Sequence, residues 1–235
     1  MVPSGVGLER SGRAAEALWL PTERRSVGRQ RGVRDAQRRQ QSAYAEQRPM
    51  NQIYVARHGE STWNAERRWT GHGDPPLSEI GRAQAREACE TLRGHRFDAV
   101  SSSTLVRALE TASIIASALG LPQLEPIRHF DERFAGQMSG MASAEIEARW
   151  PGFLDQWKSG TPVEIPGGEP WQAFVDRTLE GLEHLQTVPG RILVVSHMGV
   201  QRAIEHGLGR PLSWYGNLEG FWVTGGPPGP ATAAA

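Results

Sequence analysis

The chain has 235 residues, 38% of them hydrophobic and 22% charged, with 26 basic side chains against 26 acidic ones. That length and apolar share suit one α/β domain with its own core plus tails, and the single Cys89 excludes an intramolecular disulfide or a cysteine metal cluster. No stretch approaches about 18 consecutive apolar residues and no apolar run of signal-peptide length opens the chain, so a cytoplasmic protein without membrane contact is expected.

Residues 1–49 hold ten Arg against five acids, show no sustained apolar period, and read as a disordered Arg-rich extension. The five acids argue against a transit peptide. A nucleic-acid-binding arm has little support, because only Trp19 and Tyr44 could stack on bases. The segment also reads as an over-long start, since Met50 directly precedes the first strand. The domain is expected over 50–224, and the Gly/Pro/Ala run at 225–235 as a flexible tail.

Within the domain, Gln52–Arg57 has the short β-branched character of a buried strand. Ser78 can cap a helix to about Leu92 with Gly94 as its stop, and Ile80, Gln84, Ala88 and Leu92 fall on one face. Phe97–Ser101 reads as a second strand, followed by a helix from about Leu105 to Leu119 that Gly120 ends. Trp171–Leu185 reads as another helix, and Arg191–Ser196 is the most strand-like run of all. This alternation predicts a three-layer α/β/α sandwich around a mostly parallel, doubly wound sheet.

Two histidines stand just past the carboxyl ends of apolar strands, His58 after QIYVAR and His197 after RILVVS. That edge is where open α/β sheets bind ligands. Arg57 adjoins His58, and Gly59 lets a backbone approach closely. Arg107 follows the carboxyl end of the second strand. Taken singly, each residue reads as structural or as surface charge. Together, two guanidinium forks and two imidazoles at one edge point to a phosphoryl group. His72, His95, His129, His184 and His206 lack the spacing with carboxylates that a metal site needs.

At this point a resemblance enters. Arg57-His58-Gly59-Glu60 with Asn64 resembles the signature of the histidine phosphatase superfamily, the phosphoglycerate mutase-like family. Gly71 to Gly81 with Gln84-Ala85 resembles its second block, and Ser101-Ser102 with Arg107 and Thr111-Ala112 its third. Glu132 with Gly136 and Gly140, Gly168-Glu169 with Arg177, and Val195-Ser196-His197 complete the order. The similarity runs from about Asn51 to Gly209 and implies a phosphoglycerate mutase-like fold.

The resemblance implies a phosphatase that needs no cofactor and no metal and acts on a small phosphorylated metabolite. His58 attacks phosphorus, while Arg57, Arg107, His197 and the Asn64 amide surround the non-bridging oxygens. Thr70, Gly71 and Met198 complete the phosphate contacts. Glu132, four residues before Gly136, is the acid, with Asp131 as its rival. Several positions depart from the family pattern. Met138-Ser139-Gly140 stands for Trp-Glu-Gly, Ala135 for an aromatic, Met198 for Gly, and Pro170 for Ser or Thr.

Phosphoglycerate mutase-type transfer is the alternative, and a non-catalytic phosphate-binding member is a third reading. Mutases of this type carry a basic stretch between the acid loop and the second histidine. Here only Arg149, Lys158, Arg177 and Arg191 lie between Arg133 and His197, widely spread. Residues 134–166 carry no decisive mark of substrate, and nothing in the sequence fixes the oligomeric state. Trp150, Phe153, Trp157 and Trp171 read as core residues before cavity ones.

Overall fold

Strand β1, Gln52–Arg57, lies inside the sheet, where a β-branched run suits burial on both faces. A computed structural model describes residues 51–160 and 162–223. The expected extension at 1–49 and tail at 225–235 lie outside the described residues. Strands β2 (Ala99–Ser102), β3 (Arg191–Ser196) and β4 (Gly220–Trp222) complete the order β2-β3-β1-β4. β3 pairs in parallel with β1, Gln52 opposite Arg191 through Arg57 opposite Ser196, and in parallel with β2. The short β4 runs antiparallel along the other side of β1. The sheet is therefore mostly parallel, as the alternation predicts. β4 escaped the sequence reading because a three-residue edge strand carries no period.

Among the described residues seven α-helices follow in chain order: α1 Thr62–Ala65, α2 Glu79–Arg93, α3 Val106–Leu119, α4 Ser143–Arg149, α5 Phe153–Lys158, α6 Trp171–Gln186 and α7 Met198–Gly207. Ile53, Val55, Ile192 and Val194 pack against Phe174, Val175 and Leu182 of α6 and Val200, Ala203 and Ile204 of α7. Ala56, Val100, Leu193 and Val195 pack on the other face against Cys89 and Leu92 of α2 and Ala108, Ala112 and Ile115 of α3. Period-2 alternation along the strands thus feeds two helical layers. A third cluster outside the sheet, with Met138, Ile146, Phe153, Val163 and Ile165 buried, holds 134–166 together.

The α2 face needs a correction. The buried positions are Gly81, Ala85, Cys89 and Leu92, and Ile80 is 60% exposed. Gly81 decides this. A Cβ there would stand 2.0 Å from the Glu60 carbonyl oxygen, so the helix rests its bare backbone on the strand-end loop. Ser78 caps α2 as expected, its hydroxyl accepting from the Gly81 N–H at 3.0 Å. Among the described residues no helix is long and apolar enough to cross a membrane.

Candidate active site

The parallel register brings three strand ends to one edge. The His58 N–H donates to the Ser196 carbonyl at 2.9 Å, and the Ser103 N–H donates to the Val195 carbonyl at 3.0 Å. His58, His197 and Ser103 therefore emerge side by side, and the rings of His58 and His197 lie 5.1 Å apart. Arg107 occupies the first turn of α3, and its Nε–H donates to His58 Nε2 at 3.2 Å.

That contact fixes the chemistry of His58. Its Nδ1 lies 2.6 Å from the Gly59 carbonyl, which can only accept, so Nδ1 carries the proton. A guanidinium can only donate, so Nε2 is the bare nitrogen. Burial holds the His58 pKa well below 6.5, helped by the charges of Arg107 and Arg57. Burial lowers His197 in the same way, with Arg107 as the next cause. His197 is fully enclosed, with Nε2 2.7 Å from the Ser103 hydroxyl and no partner for Nδ1.

Two buried neutral imidazoles leave a mark on stability. Below about pH 6.5 the unfolded chain binds protons that the native protein refuses, so stability falls as pH drops. Each histidine contributes at most about 1.4 kcal/mol per pH unit in that window. Urea unfolding at about pH 7 and about pH 5.5 should show that His197→Asn loses less stability on acidification than the parent, by about 1 kcal/mol. Equal losses would remove His197 from the account.

The phosphate-clamp candidates lie around this pair. Arg107 donates Nη1 to the Gly73 carbonyl at 2.9 Å and Nη2 to the Gly71 carbonyl at 3.0 Å. Burial brings its pKa down to about 10, with Glu132 the largest opposing influence, so it stays charged at neutral pH. Arg57 is lowered by burial too; its Nη1 reaches the Tyr215 carbonyl, and its Nε–H is buried without a partner. A cavity of about 370 Å³ opens here, with Arg57, His58, Asn64, Thr70, Gly71, Glu132 and Met198 on its wall. Arg107 and His197 stand behind His58 instead of on that wall. Asn64 spends Oδ1 on the Ser61 N–H within the capping box of α1.

Glu132 faces the same cavity. Its Oε1 accepts the Arg133 N–H at 2.7 Å and its Oε2 accepts the Gly199 N–H at 3.2 Å. Arg177 holds the loop from beneath, forked onto Glu169 at 2.6 and 2.9 Å while donating to the carbonyls of His129, Asp131 and Glu132. Asp131 is otherwise engaged: its carboxylate accepts the Thr104 N–H and hydroxyl, each at 2.8 Å. The cavity's far wall is apolar, with Trp157 and Trp171 both lining it, whereas Phe153 is buried in the third cluster and Trp150 packs on it.

The sequence profile of the histidine phosphatase superfamily (branch 1) matches residues 53–220. The chain belongs to that superfamily. Among curated relatives, a phosphoglycerate mutase-like protein 4 from Arabidopsis thaliana is 39% identical over 158 residues, covering 65% of this chain and 69% of the relative. A metal-independent phosphoserine phosphatase from the same plant is 36% identical over 160 residues, covering 66% and 67%. A 2,3-bisphosphoglycerate-dependent phosphoglycerate mutase of Methylobacterium sp. (strain 4-46) is 39% identical over 163 residues, covering 65% and 77%. Among solved structures, a mycobacterial glucosyl-3-phosphoglycerate phosphatase complexed with VO3 superposes with a TM-score of 0.67 at 26% identity, covering 73% of this chain and 91% of that one.

Three parts of the candidate site escaped the sequence reading. Ser103 sits against His197, and Asn217 donates to the His58 carbonyl at 2.7 Å from the cavity lip. Neither stands out in a string of serines or a C-terminal loop. Gly199 is the third, and the sequence did offer a signal there. Met198 stands where the family pattern has Gly, yet a glycine follows it at 199, and a Cβ on it would stand 2.0 Å from Glu132 Oε1.

Proposed function

We propose that this chain is a phosphomonoester hydrolase that forms a phosphohistidine on His58 and acts on a small phosphorylated metabolite. The observation that carries the reading is the fixed tautomer of His58, with Nε2 unprotonated between Arg57, Arg107 and His197. Nε2 attacks phosphorus and the bond from phosphorus to the ester oxygen breaks. A protonated Glu132 gives its proton to that leaving oxygen. Arg57, Arg107 and His197 meet the charge on the non-bridging oxygens, with the Asn64 amide and the backbone at Thr70, Gly71 and Met198 completing the cradle. Water then attacks the phosphohistidine, Glu132 takes its proton, and inorganic phosphate leaves with His58 Nε2 restored. Arg107 must hand its Nε–H from His58 to a phosphoryl oxygen as substrate arrives.

Gly199→Ala tests the placement of the acid. The added methyl collides with Glu132, and an error of about 1 Å in such a group costs about 100-fold in kcat. A variant with parental kcat and an unshifted melting temperature would dissociate Glu132 from its seat on α7.

Mutase-type transfer is the second reading, favoured by the named mutases among the relatives. Against it, Arg149 is bonded to Gln137 and stacked on Trp150, Arg177 is forked onto Glu169, and Arg191 donates to the His95 carbonyl. None of these three is free to serve as the basic stretch that mutases of this type carry between the acid loop and the second histidine. Release of phosphate from a panel of phosphomonoesters, set beside conversion of 3- to 2-phosphoglycerate, separates the readings. Because every group in the scheme is a side chain or a backbone amide, EDTA should leave turnover unchanged and vanadate should inhibit as a five-coordinate phosphorus mimic. Loss of activity with EDTA overturns the scheme.

A further inference from the structure

Two guanidinium groups around the acid loop are well matched, the buried Arg133 and the half-buried Arg177. Arg133 donates to the carbonyls of Val163 and Glu169 and to the Glu164 carboxylate, and Arg177 has Glu169. Arg202 differs. It is 5% exposed on α7, lines the same cavity as His58 and Glu132, and makes one hydrogen bond, from Nη2 to the Trp157 carbonyl at 3.2 Å. Its Nε–H is buried with no partner, and no carboxylate among the described residues pairs with it. Glu205, one turn further on, has its two oxygens held by the Tyr215 hydroxyl at 2.5 Å and the Ser213 N–H at 2.8 Å.

The placement of Arg202 is informative. It follows Gly199, whose N–H holds the Glu132 carboxylate, by three residues on one helix. Positions so spaced are neighbours, about 5–6 Å apart. Burial lowers the pKa of Arg202, and the charge of Glu132 is the larger of the two influences opposing that, as close approach requires. The guanidinium lies 5.6 Å from the Trp157 ring centroid and 5.4 Å from that of Trp214, which offsets part of the cost of burying it. Glu132 and Glu205 act on it only without a hydrogen bond, so among the described residues the bonding of this buried guanidinium stays incomplete. Trp69, Val163, Ile165 and Leu212 make the surrounding wall apolar.

We infer that Arg202 and this apolar wall form a leaving-group subsite for a carboxylate carried on an apolar body. The substrate is then a phosphomonoester with a second anion about one helical turn from the ester oxygen. A planar guanidinium fork matches a carboxylate, and the aromatic faces cover the body that bears it. The inference rests on the phosphatase reading for its orientation, phosphate at His58 and carboxylate at Arg202.

The test uses two synthetic esters, 4-(carboxymethyl)phenyl phosphate and its carboxamide, whose methylene group insulates the ester oxygen from the change in charge. Titration calorimetry on His58→Ala measures binding without turnover. The acid should bind about tenfold more tightly than the amide, and the gap should close in His58→Ala combined with Arg202→Met or with Arg202→Gln. Equal binding of the two esters to His58→Ala overturns the subsite, as does a preference that survives loss of Arg202. The parent protein is assayed for phosphate release from the same pair. Tight, acid-selective binding with no release would retain the subsite and remove the hydrolase reading instead.

Discussion

His58→Ala is expected to fold and to lose phosphate release by a factor on the order of 10⁶, the loss that removing a covalent nucleophile typically brings. The variant keeps the remainder of the constellation. Arg107 still donates to the Gly71 and Gly73 carbonyls, so the loop that carries them stays anchored when its bond to His58 goes. One buried N–H is left without an acceptor, a cost of about 1–3 kcal/mol, which a domain of ordinary stability tolerates. Arg57→Ala removes only a stabilising charge and should cost about 100- to 1000-fold. The measurement is turnover beside a melting curve, with an alkali quench of the parent protein to trap the acid-labile phosphorylated imidazole. A folded His58→Ala protein retaining more than about one part in a hundred of parental turnover would end the nucleophile assignment.

Glu132→Gln should divide substrates by their leaving groups. An alkoxide needs a proton as it departs, so kcat/KM for alkyl phosphates should fall by about 100- to 10,000-fold. Nitrophenolate departs unprotonated, and kcat/KM for p-nitrophenyl phosphate should fall far less. The ratio kcat/KM is the right quantity because it covers the steps through the first transfer and excludes hydrolysis of the phosphohistidine, where Glu132 acts again as base. Equal slowing of both ester classes overturns the acid role. Asp131 makes a useful contrast. Its carboxylate is spent on Thr104, so Asp131→Asn acts only through the position of the loop, and its effect should not sort substrates by leaving group.

The sequence made the strands and the long helices readable because burial on both faces writes unbroken β-branched runs, as in Arg191–Ser196, and because caps such as Ser78 and Gly120 have local chemistry. It misread the inner face of α2 because a glycine packs by lacking a side chain, which no apolar pattern registers. Helices α4 and α5 lie in a region whose core is shared with Trp69, far away along the chain, and with Val163 and Ile165 outside either helix, so neither helix shows a face by itself. The site divides in the same way. His58, Arg107 and His197 could be placed because strand ends share an edge whatever the details. Ser103, Asn217 and Gly199 matter only through a contact with a residue distant in sequence, and a string of letters does not contain contacts.

The bond from Arg107 to His58 Nε2 has a chemical corollary. An electrophile can meet that nitrogen only after something draws the guanidinium aside, and an anionic oxygen is what draws a guanidinium. Uncharged alkylating or acylating agents bring no such oxygen. On the proposed phosphatase reading, the resting imidazole is kept under a latch that phosphate esters open and neutral reagents do not, and discrimination between them begins before any bond to phosphorus is made.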